Sequence, residues 1–283
     1  MLRSHARRVS ALALGVALLV LAAPAVALAR TQTATSGAVT ATFTFTTTSH
    51  FTYPTKSLTI SRAGQVVYDQ PVSSSFCGPA GQAQAYCAPG APEAGQSSVH
   101  VLDLEPGGEP EVVLDLFTGG AHCCSVEQVF SFDPGTGIYA MSQHDFGDPG
   151  ERIADLGHNG RLEFLTADDT FAYAFTAYAV SGLPIEILTF ANGQFTNVTR
   201  QYPKLIAKDA AAYFKLFEQH VGDGVGVLAA WAADEDNLGH EALVSATLAK
   251  EQKAGDLRNP GGLAGKRFIR ALNKLLKRDG YVN

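Results

Sequence analysis

Val101 to Asp115 reads VLDLEPGGEPEVVLD, and Ile153 to Ala167 reads IADLGHNGRLEFLTA. Laid on one another without gaps, Asp103 falls on Asp155, Leu104 on Leu156, Gly108 on Gly160 and Glu111 on Glu163, an offset of 52 residues. Apolar residues flank both copies, so each reads as strand, acidic Gly-rich turn, strand. Units of this kind build stacks of sheets, because one unit cannot bury its own apolar face.

The surroundings extend the pattern. Glu111 to Phe117 continues as a strand, and Val126 to Phe132 and Ile138 to Gln143 flank the turn Asp133-Pro134-Gly135-Thr136-Gly137. The second copy follows suit: Leu162 to Thr166, then Ile185 to Phe190, the turn Ala191-Asn192-Gly193, and Phe195 to Thr199. Phe171, Tyr173 and Phe175 alternate and predict one more strand. Upstream, Val39, Ala41, Phe43 and Phe45 alternate with Thr, the period of a half-buried strand. Leu58 to Arg62, Ala63-Gly64 and Gln65 to Tyr68 read as the hairpin of a third, incomplete unit. Pro71 to Ser98 is a long Ser/Gly/Ala/Pro/Gln loop.

After Pro203 the apolar period changes to about 3.6. Ile206, Ala210, Tyr213, Phe214, Phe217 and Val221 share one helical face, Val225 to Ala233 suits a second helix, and Glu241 to Lys253 a third. A last helix carries Phe268, Ile269, Leu272, Leu275 and Leu276 on one side and Lys266, Arg267, Arg270, Lys274, Lys277 and Arg278 on the other. That basic side reads as a solvated face, or as one docked on the acidic β part or on an anionic envelope polymer. The fold class is therefore α+β: a β-rich repeat domain over 39–203, propeller-like or an irregular stack of sheets, then a small helical subdomain over 204–283. Two or three units fall short of the four to eight blades of a closed propeller.

Residues 1–29 have the layout of a secretory signal peptide, with Arg3, Arg7 and Arg8, an apolar run Ala11 to Ala23, and Ala27-Leu28-Ala29 as the cleavage site. Residues 30–38 read as a flexible tail. No second long apolar run follows, so the mature chain is expected not to span a membrane, and its address to be secreted, periplasmic or cell-wall associated. Thr31 to Lys204 holds 6 Lys+Arg against 17 Asp+Glu, a net of −11, and Leu205 to Asn283 holds 11 against 10, a net of +1. The acidic front argues against nucleic acid as a partner.

Four cysteines, Cys77, Cys87, Cys123 and Cys124, in an exported chain point to disulfides. Three connectivities are open. Neighbouring strand residues face opposite ways, which favours Cys77–Cys87 with Cys123–Cys124 over the crossed pairings, unless Gly119-Gly120 makes a turn there. His122-Cys123-Cys124 would suit a soft metal only with reduced thiols.

The acidic turns, Asp103-Leu104-Glu105-Pro106-Gly107-Gly108-Glu109-Pro110-Glu111 and Asp155-Leu156-Gly157-His158-Asn159-Gly160-Arg161-Leu162-Glu163, resemble the D-x-D-G-D-G-x-x-[DE] turn of FG-GAP/VCBS-type secreted β-repeats. The resemblance implies blade-like units and Ca²⁺ at the turns. The oxygens available are Asp103, Glu105 and Glu111 in the first copy, and Asp155, Asn159 and Glu163 in the second. Gly107 and Gly157 stand where further ligands would be, so each loop offers few oxygens for a hard cation that takes six to eight. The other use of such residues is to accept main-chain N–H bonds. The stretch from about Val39 to Ala210, including TGGAHCC (Thr118 to Cys124) and DDTFAYAFTAYA (Asp168 to Ala179), also looks like exported bacterial proteins of unassigned function.

No nucleophile motif, zinc-protease motif or phosphate loop is present. Asp168-Asp169 beside Phe171, Tyr173, Phe175 and Tyr178, a cluster that Asp115, Asp145 and Asp148 could join, has the residue types of a glycan-binding or glycan-cleaving site. The functional expectation is a secreted or cell-envelope binding or structural protein, its partner an envelope polymer or another extracellular protein. The alternative is a carboxylate-dependent extracellular hydrolase using Asp115, Asp168 and Asp169.

Overall fold

The fold is described from a computed structural model, covering residues 28–48, 52–77, 87–90, 96–106, 108–119, 122, 124–219, 224–259 and 262–282. The expected leader, save its last residues, lies outside the described residues.

Three antiparallel sheets come first. The first is a meander of β1 (Leu28–Ser36), β2 (Val39–Thr47), β3 (Lys56–Arg62) and β4 (Gln65–Pro71). Alternation along β2 puts Val39, Ala41, Phe43 and Phe45 on one buried face and its threonines on the other. The tail expected over 30–38 is instead edge strand β1, paired with β2 along its whole length. Its Thr residues are β-branched and line up across the ladder, as in Thr31–Thr44 at 3.3 Å and Thr35–Thr40 at 3.1 Å between Oγ1 atoms. An exposed edge strand has no apolar face to announce it, so it resembles a polar tail in sequence.

The second sheet contains β5 (Ala88–Pro89), β6 (Val99–Leu102), β7 (Glu111–Phe117), β8 (Ser125–Asp133) and β9 (Ile138–Gly147). β7 lies at its centre, between β5 and β6 on one side and β8 on the other. The third sheet runs β10 (Arg152–Ala154), β11 (Glu163–Ala167), β12 (Ile185–Ala191), β13 (Gln194–Asn197). The 52-residue repeat is kept in the register itself. Leu102 faces Glu111 and Val101 faces Val112; 52 residues on, Ala154 faces Glu163 and Ile153 faces Phe164.

The sheets stack through two cores. Phe43, Leu58 and Ile60 of the first sheet pack with Val112, Leu114, Leu116 and Phe130 of the second. The opposite face of the second sheet gives Val113, Val129 and Phe146 to Phe164, Leu188 and Phe190 of the third. Each fully buried side chain of this size contributes about 1.5–3 kcal/mol. The central strand β7 is thus apolar on both faces, with Glu111 and Asp115 as the exceptions. The disulfide Cys77–Cys87 closes the loop after β4 and sits in the first core. Cys124 is also disulfide-bonded; Cys123 lies outside the described residues.

Four helices follow: α1 (Pro203–Glu218), α2 (Val225–Asn237), α3 (Glu241–Ala254) and α4 (Gly265–Arg278). α2 is buried almost all round, and Ala229, Ala230, Ala232 and Ala233 let its neighbours approach closely. The strand expected at Phe171, Tyr173 and Phe175 is absent. Two 3₁₀ turns, Asp169–Phe171 and Tyr178–Val180, take its place. Phe171 and Phe175 enter the helical core, while Tyr173 adopts φ 57° and points outward. The three aromatics therefore do not share one face, and Asp168 accepts the Thr170 N–H at 2.9 Å and starts a turn rather than a ladder.

Candidate functional site

TGGAHCC and DDTFAYAFTAYA lie about fifty residues apart in sequence, and the fold brings them together. The His122 ring lies 4.2 Å from the Tyr178 ring and 6.1 Å from Tyr173, centroid to centroid. Tyr173 is 59 % exposed. His122 Nδ1 is 3.8 Å from Asp148 Oδ2. Asp148 belongs to the turn that runs from the last residue of β9 to β10, residues 147–151, which ties two groups of carboxyls to this patch.

The first group is Asp145, Asp148 and Asp169. Gly147 packs so closely on Asp169 that a Cβ there would lie 2.6 Å from its carboxyl carbon. Gly147 also has φ 65°, so glycine serves both the turn and the contact. Burial first, and beyond it the charges of Asp148 and Asp145, hold the Asp169 carboxyl above its ordinary range.

The second group is buried between the second and third sheets. Asp115 and Glu127 are cross-strand neighbours on β7 and β8. Glu127 is fully buried, and no donor reaches either of its oxygens. Glu151, at the far end of the same loop, reaches Glu127 and Ser125. Burial, then the charges of Asp115 and Glu151, push the Glu127 carboxyl well above its ordinary range. Among the described residues no Lys, Arg or His pairs with it, so its surroundings favour the protonated form. His100 Nε2 lies 3.3 Å from Asp115 Oδ2, and that bond raises the imidazole's affinity for a proton. Neither Glu127 nor Glu151 was singled out in sequence. The one signal was a glutamate between the apolar residues of the strand Val126 to Phe132, where a central strand has no wet face.

The three acids of the hydrolase alternative go separate ways. Asp115 faces His100 and Glu127. Asp169 packs on Gly147. Asp168 accepts the Thr170 N–H and, at 2.8 Å, the Tyr281 hydroxyl. It lines a cleft of ≈ 370 Å³ between the third sheet and the helices, with Glu186, Arg200 and Asp279. Arg200 is spent there on the carbonyls of Gly280 and Tyr281, both at 2.9 Å.

The acidic turns use their oxygens on the main chain, and in the same way twice. Glu111 Oε2 accepts the Leu104 N–H at 3.1 Å, and Glu163 Oε2 accepts the Leu156 N–H at 2.8 Å. Burial pushes the Glu111 carboxyl up to about 7. Asp155 accepts the N–H groups of Asn159 and Gly160, both at 3.0 Å, and Asn159 accepts that of Arg161. Glu105 accepts the Asn192 N–H at 2.7 Å and so pins the β12–β13 turn to the first acidic turn. Asp103 is exposed beside them. Among the described residues, no three His, Cys, Asp or Glu side chains are arranged to hold a metal ion.

Among the described residues no helix is long and apolar enough to cross a membrane. No family model and no solved structure matches the chain. It is similar, at 34 % identity over 91 residues, to a probable thylakoid lumen protein of Synechocystis sp., a match covering 32 % of this chain and 27 % of that one. It is similar, at 30 % identity over 79 residues, to an uncharacterized protein of Sinorhizobium fredii, covering 28 % and 12 %. The chain therefore matches about a quarter and about an eighth of the length of these relatives, and the likeness is distant and partial.

Proposed function

We propose that the protein is an exported binding module, and that the His122–Tyr173–Tyr178 patch with Asp148 and Asp169 is its contact surface for a cell-envelope glycan. One observation carries this reading: the two sequence motifs meet at one place, His122 against Tyr178 with Tyr173 exposed beside them, and the Asp148 carboxylate at the rim. Aromatic faces offer a large rigid apolar area to the C–H face of a sugar, and carboxylates accept hydrogen bonds from its hydroxyls. The buried carboxyls beneath hold the 147–151 loop in place rather than meeting ligand. The layout of residues 1–29, the disulfides and the lumenal name of one relative support the exported address.

The test is a glycan array with the mature chain, followed by titration of the best ligand against Tyr173→Ala and Tyr178→Ala. Each variant is expected to weaken binding by roughly tenfold, the effect of losing one stacked ring worth about 1–1.5 kcal/mol. Unchanged affinity in both variants, with their melting temperatures intact, would refute the assignment of the patch.

A further inference from the structure

The outer face of α4 is left unexplained by the fold and by the glycan patch. Its sequence, GKRFIRALNKLLKR, has six cations and no acid. The apolar side, Phe268, Leu272, Leu275 and Leu276, is consumed by the helical core. Lys266, Arg267, Arg270, Lys274, Lys277 and Arg278 are all exposed, and the face is not docked on the acidic sheets. Arg278 pairs with Asp279. Among the described residues the other five make no ion pair, in a chain that holds 27 Asp+Glu against 21 Lys+Arg.

Helix stability does not account for this strip. Lys266, Arg270, Lys274 and Arg278 follow one another at i, i+4, a row of like charges that opposes helix formation. Lys266 and Arg267 stand in the first turn, where the helix dipole disfavours cations. The cost is borne with acid available elsewhere in the chain to relieve it.

We infer that this face is a docking strip for a linear, phosphate-bearing polyanion. Charge complementarity names the sign of the partner, and the shape of the strip names its form. From Lys266 to Arg278 the cations span about 18 Å along a single helix, a track one chain wide. A bilayer surface would gain from an apolar face to insert, and that face is buried here. The strip is inferred independently of the glycan patch.

The test uses the full mature chain and fluorescent long-chain inorganic polyphosphate, with anisotropy read across a salt series. The expected result is saturable binding at low salt that weakens linearly in log Kd against log salt, with a slope of about 3 or more for five cations. Arg267→Gln/Arg270→Gln/Lys274→Gln is expected to lose at least about tenfold in affinity and to flatten that slope. Lys266→Arg/Lys274→Arg/Lys277→Arg keeps the charge and is expected to bind as the parent does. Circular dichroism melts establish that both variants are folded, and Arg270→Gln alone, expected to lose affinity and slope in part, replaces the triple variant should it unfold. No binding by the parent chain overturns the proposal, as does a folded neutralised variant that binds undiminished. Binding to phosphatidylglycerol vesicles with polyphosphate left unbound overturns it as well.

Discussion

Asp234→Asn is expected to stabilise this protein, and to do so more strongly as pH rises. Asp234 on α2 is fully buried and hydrogen-bonded to Asp209 on α1. The Ile185 N–H at the start of β12 goes to Asp209 Oδ2 at 3.1 Å and also faces Asp234. The groups facing the pair are Tyr213, Glu235 and Tyr281, none of them a cation. Asp234 must therefore hold the proton that joins the two carboxyls, and burial, reinforced by Asp209, pushes it up to about 9 from an ordinary 3.8. A carboxyl raised in the folded state gives its full stability below the unfolded value near 3.8 and loses it as pH rises toward about 9. At pH 7 the folded chain keeps a proton that the unfolded chain has released. At about 1.4 kcal/mol per pH unit, the three or so units above 3.8 cost at most ~4 kcal/mol, and sharing with Asp209 brings this to roughly 2–4 kcal/mol. Asn has the same shape, donates to Asp209 without a proton to lose, and should recover much of this. Urea unfolding of both proteins at pH 4, 5.5, 7 and 8.5 reads the difference directly. A variant less stable than the parent at pH 7 and above, or a difference that does not change with pH, would refute the shared proton.

Other perturbations probe the stack and its turns. Cys77→Ser/Cys87→Ser, which opens a loop of sequence separation 10, is expected to cost roughly 2–3 kcal/mol and to lower Tm in a thermal melt. Gly226→Ala should be favourable by helix propensity, by about 1 kcal/mol. Yet its Cβ would sit 2.5 Å from the Val180 carbonyl oxygen and from a Thr176 methyl, so denaturant unfolding is expected to show net destabilisation of about 1–3 kcal/mol. Millimolar Ca²⁺ is expected to leave Tm where it is, because Glu111, Glu163, Asp155 and Asn159 already accept main-chain N–H bonds. A clear rise in Tm with Ca²⁺, reversed by chelator, would place the ion at these turns after all.

The repeat was legible because its determinants are local. Gly160 and the turn acids fix the chain reversal, and the apolar residues on either side fix which strand faces must be covered, so the same register recurs 52 residues on. The four helices were legible for the same reason, as an apolar period that changes after Pro203. Strand β1 was not, because an edge strand of Thr exposes most of its length and leaves no apolar trace. The segment after Asp168 misled for another reason. Alternating aromatics are the mark of a strand, but Phe171 and Phe175 are buried against helices that come later in the chain, and no ladder partner is available to them.

The candidate site divides along the same line. TGGAHCC and DDTFAYAFTAYA stood out as sequence, with their acids and rings, and so did the basic side of α4. That His122 would meet Tyr178 was decided by the β8–β9 ladder and the 147–151 loop that carries Asp148 to it. Glu127 with Asp115 and Glu151, and Asp234 with Asp209, are tertiary facts. Each carboxyl is unremarked on its own strand or helix, and becomes a proton-sharing partner only when a second element removes both from water. Sequence alone settled the α+β class, the doubled turn and its register, since these depend on residues within a few positions of one another. The tertiary structure decided which charged groups lose their solvent, because burial depends on elements far apart in the chain.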